Sequence, residues 1–198
     1  MTESDEKLML AVRTGEVAKL GILFDRHHRG LFDYFIRMTS NRMIADDLVQ
    51  DVFFRMLKYR STFRGEGHFK AWMFHIARNA RVDYYRNHQA ESVLPEEQME
   101  EIEGNSGIPG RQLEEKQQAE ILECALRQLT PDKREVLILS RYHEMKYEEI
   151  STLLGCELNT VKTRVHRALK DLREVFKQLT GEKTPCIVKK SANSLRLM

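Results

Sequence analysis

Ten glycines and four prolines in 198 residues leave few places where the chain must turn sharply, which argues for long helices and against a fold of many short strands. Cysteine is equally scarce. Cys124, Cys156 and Cys186 are odd in number and spaced about thirty residues apart, so neither a disulfide framework nor a zinc knuckle fits them. They point to a reducing compartment, and a cytoplasmic, intracellular protein is expected. No apolar run approaches the roughly 18 residues that span a bilayer, and the opening MTESDEKLML is acidic where a secretion signal is basic, so membrane insertion is not expected. Catalytic motifs are missing as well: there is no Gly-rich phosphate loop and no nucleophile elbow. Asp46, Asp47 and Asp51 could be imagined as metal ligands, but adjacent acids diverge around a helix and no His or Glu is spaced to complete a site. A non-enzyme without metal or cofactor is the expectation.

What the chain does have is charge and helical periodicity. Charged residues make up 31% and hydrophobic ones 41%, enough for a real core, and the length allows two small domains. In the stretch ADDLVQDVFFRMLKY, Ala45, Leu48, Val49, Val52, Phe53, Met56 and Leu57 form one complete core-facing stripe. The opposite face carries Asp47, Gln50, Asp51 and Phe54, with Arg55 beside them, and so sets a large aromatic among acids. It reads either as a protein interface or as extra core. Before it, Leu20, Leu23, Phe24, Leu31, Phe35 and Met38 fall at helical intervals. After it, Phe69, Trp72, Met73, Ile76, Ala77 and Ala80 do the same. Between these last two helices lies RSTFRGEGHF, which Gly65 and Gly67 must break and which carries Arg64 and His68.

From Glu91 to Glu123 ten glutamates face only Arg111 and Lys116, and the central EGNSGIPG is turn-rich and aperiodic. That composition predicts a flexible acidic linker over 91–111, separating a helical domain at 1–90 from a second at 112–180, with a basic-leaning mobile tail at 181–198. The fold class is all-α. In the second domain a helix through Leu129 is followed by LTPDKRE, where Thr130 can cap the next helix and Pro131 takes its first turn. Further on, Ile150, Leu153 and Leu154, then Gly155, then Val161, Val165, Ala168, Leu169 and Leu172 have the form of a helix-turn-helix. Its second helix leaves Asn159, Thr160, Lys162, Thr163, Arg164, His166, Arg167 and Lys170 at outward or flanking positions. Arginine there can pair bidentately with guanine, while lysine and threonine suit phosphate. In the helix from Phe69, Arg78, Asn79, Arg81, Asp83 and Arg86 lie off the apolar stripe with Tyr84 and Tyr85 interleaved. That mixture suits single-stranded nucleic acid, although composition alone favours a solvated charged face with two partly buried tyrosines.

Four motifs in order now carry a resemblance. ADDLVQDVF, the run F-x-x-W-M-x-x-I-A-R-N-x-x-x-D-x-x-R from Phe69 to Arg86, L-T-P-x-x-R-E-V from Leu129 to Val136, and T-V-K-T-R-V-H-R-A-L from Thr160 to Leu169 resemble the extracytoplasmic-function group of bacterial sigma factors, from about Glu16 to Leu172. The resemblance implies a transcription initiation factor that binds core RNA polymerase, at the clamp coiled coil of the largest subunit and at the flap, and gives it two promoter-reading domains. It places Asp47, Gln50, Asp51, Phe54 and Arg55 on the clamp. It gives the non-template strand of the minus-ten element to Arg64, Gly65, His68, Trp72, Arg78, Asn79 and Arg86, with Trp72 either a wedge at the duplex edge or a core residue. The helix-turn-helix would read the minus-thirty-five duplex. The acidic linker either occupies the RNA channel before a transcript exists or serves as a soluble spacer. An anti-sigma factor or other regulatory protein is a further implied partner. A stand-alone helix-turn-helix regulator with an N-terminal sensor or dimerisation domain is the competing reading, and it leaves Asp51 and Phe54 without a role. The chain also departs from the family pattern. Asn159 replaces a common Gly before T-V-K, and Glu144 and Lys146 stand where Gly and a small hydroxyl residue are common. Asn159 can contact a base, contact a phosphate or cap the helix.

Overall fold

The computed structural model describes residues 3–65, 69–89 and 111–182. These form eight α-helices and no strand among the described residues. The first, α1 (Asp5–Thr14), lies ahead of the helices expected from the sequence. Ser4 caps it by accepting from the Lys7 N–H at 3.4 Å, Asp5 and Glu6 sit in its first turn, and Gly15 at φ 116° closes it. It buries Leu8, Met9 and Val12 against α2 (Lys19–Thr39), whose inward face is Leu23, Leu31, Tyr34, Phe35 and Met38. Fully burying one such side chain is worth about 1.5–3 kcal/mol, so three of them are enough to hold a ten-residue helix that would not persist alone.

Asn41 caps α3 (Arg42–Lys58) through its side-chain oxygen, 3.1 Å from the Ile44 N–H, and the stripe Ala45, Leu48, Val49, Val52, Phe53 and Met56 is buried as the periodicity predicts. A 3-10 turn at Arg60–Thr62 leads toward α4 (Phe69–Gln89), which packs on α3 and buries Phe69, Met73, Phe74, Ile76, Ala77 and Ala80.

The second half opens with α5 (Arg111–Gln128), one residue earlier than the expected boundary. Pro131 starts α6 (Pro131–Leu137) as expected, but Thr130, though at the cap position, makes no side-chain capping bond. The neighbouring Arg134 satisfies the end of α5 instead: its guanidinium donates to the carbonyls of Leu126 at 3.0 Å and Leu129 at 3.1 Å, and also to that of Arg127. A π turn (Ile138–Tyr142) follows, then α7 (Tyr147–Leu154) and α8 (Leu158–Glu182). The last helix runs into 181–182, which the composition assigned to the tail. The helix carries through Gly181 at its last turn, and the Thr180 hydroxyl donates back to the Phe176 carbonyl at 3.0 Å. The acidic segment 91–110 and the tail from 183 lie outside the described residues.

The two halves pack on one another. α4 meets α7, and α2 meets α5, α6 and the π turn. His143 is the plug, its ring centroid 4.7 Å from that of Phe74 and 6.2 Å from that of Tyr34, beside Gly30. The Lys70 ammonium donates to its carbonyl.

Candidate functional site

On α3 the outward row stands clear of the core. Asp47 and Gln50 are exposed, and Phe54 keeps 64% of its surface in solvent, which rules out its reading as extra core. Met43, 75% exposed, continues the row one turn earlier, so an apolar side chain stands at each end of the acid and amide pair. The spacing from Met43 to Asp47, Gln50 and Phe54 was readable in the sequence, but Met43 lies before the quoted motif. Asp51 and Arg55 are tied up. Arg55 Nε donates to Asp51 at 2.8 Å and its Nη1 to Asp83 of α4 at 2.7 Å, so this guanidinium clamps α3 to α4. Asp83 also accepts from Arg86 at 2.9 Å, and with Arg55 nearest its carboxyl pKa is held below the ordinary value.

The sequence assigned one charged face to α4, and the structure divides it in two. Asn79 and Arg86 are exposed to solvent, with the Asn79 amide 3.3 Å from the His75 ring. Arg78 and Arg81, joined by Tyr85 at helical spacing, turn toward the second half of the chain. There Glu135 of α6, only 2% exposed, accepts from Arg78 Nε at 3.4 Å, Arg81 Nη2 at 3.2 Å and the Tyr34 hydroxyl at 2.7 Å. Burial, and next the Glu135 carboxylate, push the Tyr34 hydroxyl pKa well up, so it remains a neutral donor. Neither Glu135 nor Tyr34 was singled out from the sequence, because a glutamate in a charged helix carries no signal of burial.

Arg64 is exposed at the start of the glycine loop. Gly65 adopts φ 74°, and a Cβ there would lie 3.0 Å from Leu10 of α1, so both conformation and space call for glycine. His68 lies outside the described residues. Trp72 is half-buried, its ring 5.1 Å from Phe63 and 6.3 Å from Phe69, which puts it at the edge of the core and not out in solvent.

In the helix-turn-helix, Gly155 at φ 62° ends α7, and the Ser151 hydroxyl pins the turn by donating to the Cys156 carbonyl at 2.7 Å. Val161, Val165 and Ala168 are buried beneath α8, leaving Asn159, Lys162, Thr163, Arg164, His166, Arg167 and Lys170 exposed and Thr160 half-buried. Asn159 is the second residue of α8, inside the helix, and its carbonyl accepts from the Thr163 hydroxyl at 2.8 Å. That location removes the capping role. No cluster of metal-ligating side chains and no helix long and apolar enough to cross a membrane occurs among the described residues.

Comparison with known proteins agrees with this layout. Residues 23–91 match the family Sigma-70 region 2, and residues 112–172 match Sigma-70, region 4. RNA polymerase sigma factor YlaC of Bacillus subtilis is 30% identical over 77% of this chain and 88% of its own. ECF RNA polymerase sigma factor SigX of the same organism is 28% identical over 81% of this chain and 85% of its own. Among solved structures, sigma factor RpoE in complex with the anti-sigma factor NepR from Bartonella quintana superposes with a TM-score of 0.63, at 27% identity over 79% of this chain and 96% of that one. With both regions in order on one all-helical chain, the protein belongs to the extracytoplasmic-function sigma factors, the non-enzymatic factors that bind core RNA polymerase and promoter DNA to direct promoter-specific initiation of transcription.

Proposed function

We propose that this sigma factor engages the polymerase clamp coiled coil through Asp47, Gln50, Asp51, Phe54 and Arg55, with Met43 extending the same row. The observation that carries this reading is the exposure of Phe54 on the side of α3 opposite its buried stripe, flanked by exposed polar side chains. A solvent-facing aromatic with a polar rim is the usual composition of an interface centre. In the same reading Arg64, Gly65, His68, Trp72, Arg78, Asn79 and Arg86 hold the unpaired minus-ten strand, and the exposed side chains of α8 from Asn159 to Lys170 read the minus-thirty-five duplex. The domains are 1–90 and 112–180, joined by the acidic stretch 91–111, whose negative charge suits the positively lined RNA channel. The second domain reaches the flap, and the chain works in the cytoplasm without a cofactor. The RpoE relative was solved with an anti-sigma factor, which supports a regulatory partner of that class here.

The docking test avoids Asp51, because reversing its charge would also break the Arg55 clamp. The double substitution Asp47→Arg, Phe54→Ala in the full chain is expected to weaken core polymerase binding at least about a hundredfold, since opposed charges at an interface cost several kcal/mol. Affinity for duplex DNA stays within a factor of about two, because the altered side chains lie away from α8. Undiminished polymerase binding rejects the assignment.

A further inference from the structure

We propose that His75 is a positioning residue for promoter reading: it holds the Asn79 amide in one orientation, so that a minus-ten base is selected by whether its exocyclic group is an amine or a carbonyl. The inference rests on the assignment of Asn79 to the minus-ten strand.

On α4, His75, Asn79, Val82 and Arg86 follow one another at i, i+4, i+7 and i+11, and all four are exposed. The backbone that carries them is fixed from beneath, because Ile76, Ala77 and Ala80 of the same turns are buried. Within the row, Asn79 Nδ2 lies 3.3 Å from His75 Nδ1. An imidazole that carries its proton on Nε2 has a lone pair at Nδ1, so the amide donates to it. Val82 is the apolar member of the row, on the other side of Asn79, where it keeps water away from a base pressed against the amide. Arg86 spends one amine on Asp83 at 2.9 Å and keeps the rest of its guanidinium in solvent, free for a phosphate.

A side-chain amide facing water on both sides can turn over about its last bond, which exchanges its carbonyl oxygen for its amine at little cost. The bond to His75 removes that freedom. With one N–H held by the imidazole, the carbonyl oxygen and the second N–H stay at fixed places. Along the Watson–Crick edge, which an unpaired strand exposes, adenine and cytosine set an exocyclic N–H donor beside a ring-nitrogen acceptor. Guanine and thymine set an exocyclic carbonyl acceptor beside a ring N–H donor. Once the phosphate is anchored, as Arg86 can anchor it, these groups meet the amide in one order. A fixed amide then forms two hydrogen bonds with one pair of bases, and opposes donor to donor and acceptor to acceptor with the other pair. An amide free to turn over pairs with all four.

The test uses polymerase holoenzyme reconstituted with the full chain, and templates pre-opened over the minus-ten element with a randomised non-template strand. Bound templates are sequenced, and circular dichroism verifies the helix content of each variant. At one position the wild type should separate adenine and cytosine from guanine and thymine by about fivefold or more, the worth of one net hydrogen bond. His75→Ala should bring the two pairs within about twofold there while preferences at the other positions hold. His75→Gln, whose side-chain oxygen can accept the same N–H across one helical turn, should restore the separation. Failure of the glutamine to restore what the alanine loses would make the ring itself the contact, and overturns the positioning role. A uniform loss of binding by His75→Ala, with every preference kept, overturns it as well. Asn79→Ala tells the two claims apart. If it erases the separation and His75→Ala does not, positioning is overturned while the strand's placement on Asn79 stands; if it alters no position, that placement falls and the inference with it.

Discussion

Glu144 and Lys146 occupy the turn between the π turn and α7, and each is a poor chemical match to its backbone. Glu144 has φ 52°, a left-handed conformation that costs a side-chain-bearing residue about 1–2 kcal/mol and costs glycine nothing. Lys146 holds the extended cap geometry at φ −66°, ψ 149°, yet an ammonium has no acceptor to offer the first turn. Only the return half of a capping box is present, with Glu149 accepting from the Lys146 N–H at 2.7 Å. Glu144→Gly is therefore expected to stabilise the fold by up to about 1 kcal/mol, after the added freedom of glycine in the unfolded chain is subtracted. Lys146→Thr should add about 0.5–1.5 kcal/mol by completing the cap. Urea titration of each variant and the pair measures both. A destabilised Glu144→Gly would mean that the glutamate side chain contributes more than its backbone costs.

At the scale of single helices, α8 shows what position within an element decides. Because Asn159 lies inside the helix with an exposed side chain, only DNA contacts remain among its three roles. Asn159→Gly is expected to relax preference at one base pair of the upstream element by about 1–3 kcal/mol, with a helix cost of about 1 kcal/mol or less. Selection from a randomised promoter library reads this directly. Recovery of the same upstream sequence by parent and variant would leave base reading to Lys162, Arg164 and their neighbours. The same scale shows how far the sequence could be read. The stripes of α3 and α8 were legible because a 3.6-residue period repeated over many residues survives any local ambiguity, and the exposed row of α3 followed as the complement of its stripe. α1 was not legible although Ser4, Asp5 and Glu6 precede Leu8, Met9 and Val12, since ten residues hold too few turns for a helical period to stand out. On α4 the charged residues were found but not their division. Periodicity says which side chains avoid a helix's own core, and nothing about a second domain arriving on the other side. Glu135 lay beyond reach for the same reason, since its burial depends on Tyr34 and Arg81, far away in sequence.

For the molecule as a whole, the plug at His143 is expected to make the packing of the two halves depend on pH. Its Nε2 is buried without a hydrogen-bond partner, and burial first, then Lys70 and Arg37, lower its pKa from 6.5 to about 4. The groups packed on the ring are Tyr34 and Gly30 of α2 and Phe74 of α4, while Asp5, Glu6, His27, Glu144, Lys146 and Glu149 line the adjoining cavity, where His27 is paired with Asp5 at 2.7 Å within the first domain. Closure therefore requires neutral imidazole. Once the domains part, the ring meets water and its pKa returns to about 6.5. A group whose pKa is depressed in the packed state contributes stability that is complete above the unpacked value and lost as pH falls toward the packed one. The contribution of His143 to closure is thus full above about pH 6.5 and lost between there and about pH 4. From pH 7.5 to 5.5 the ratio of compact to extended molecules should fall about tenfold. Scattering across that range, with helix content followed in parallel, measures the ratio in the wild type and in His143→Phe, whose ring keeps the contacts with Phe74 and Tyr34 but cannot take a proton. The phenylalanine variant is expected to remain compact at both pH values. An equal expansion of both proteins on acidification would assign the pH dependence to the carboxylates paired between the two halves, Glu123 and Glu135, and not to this imidazole.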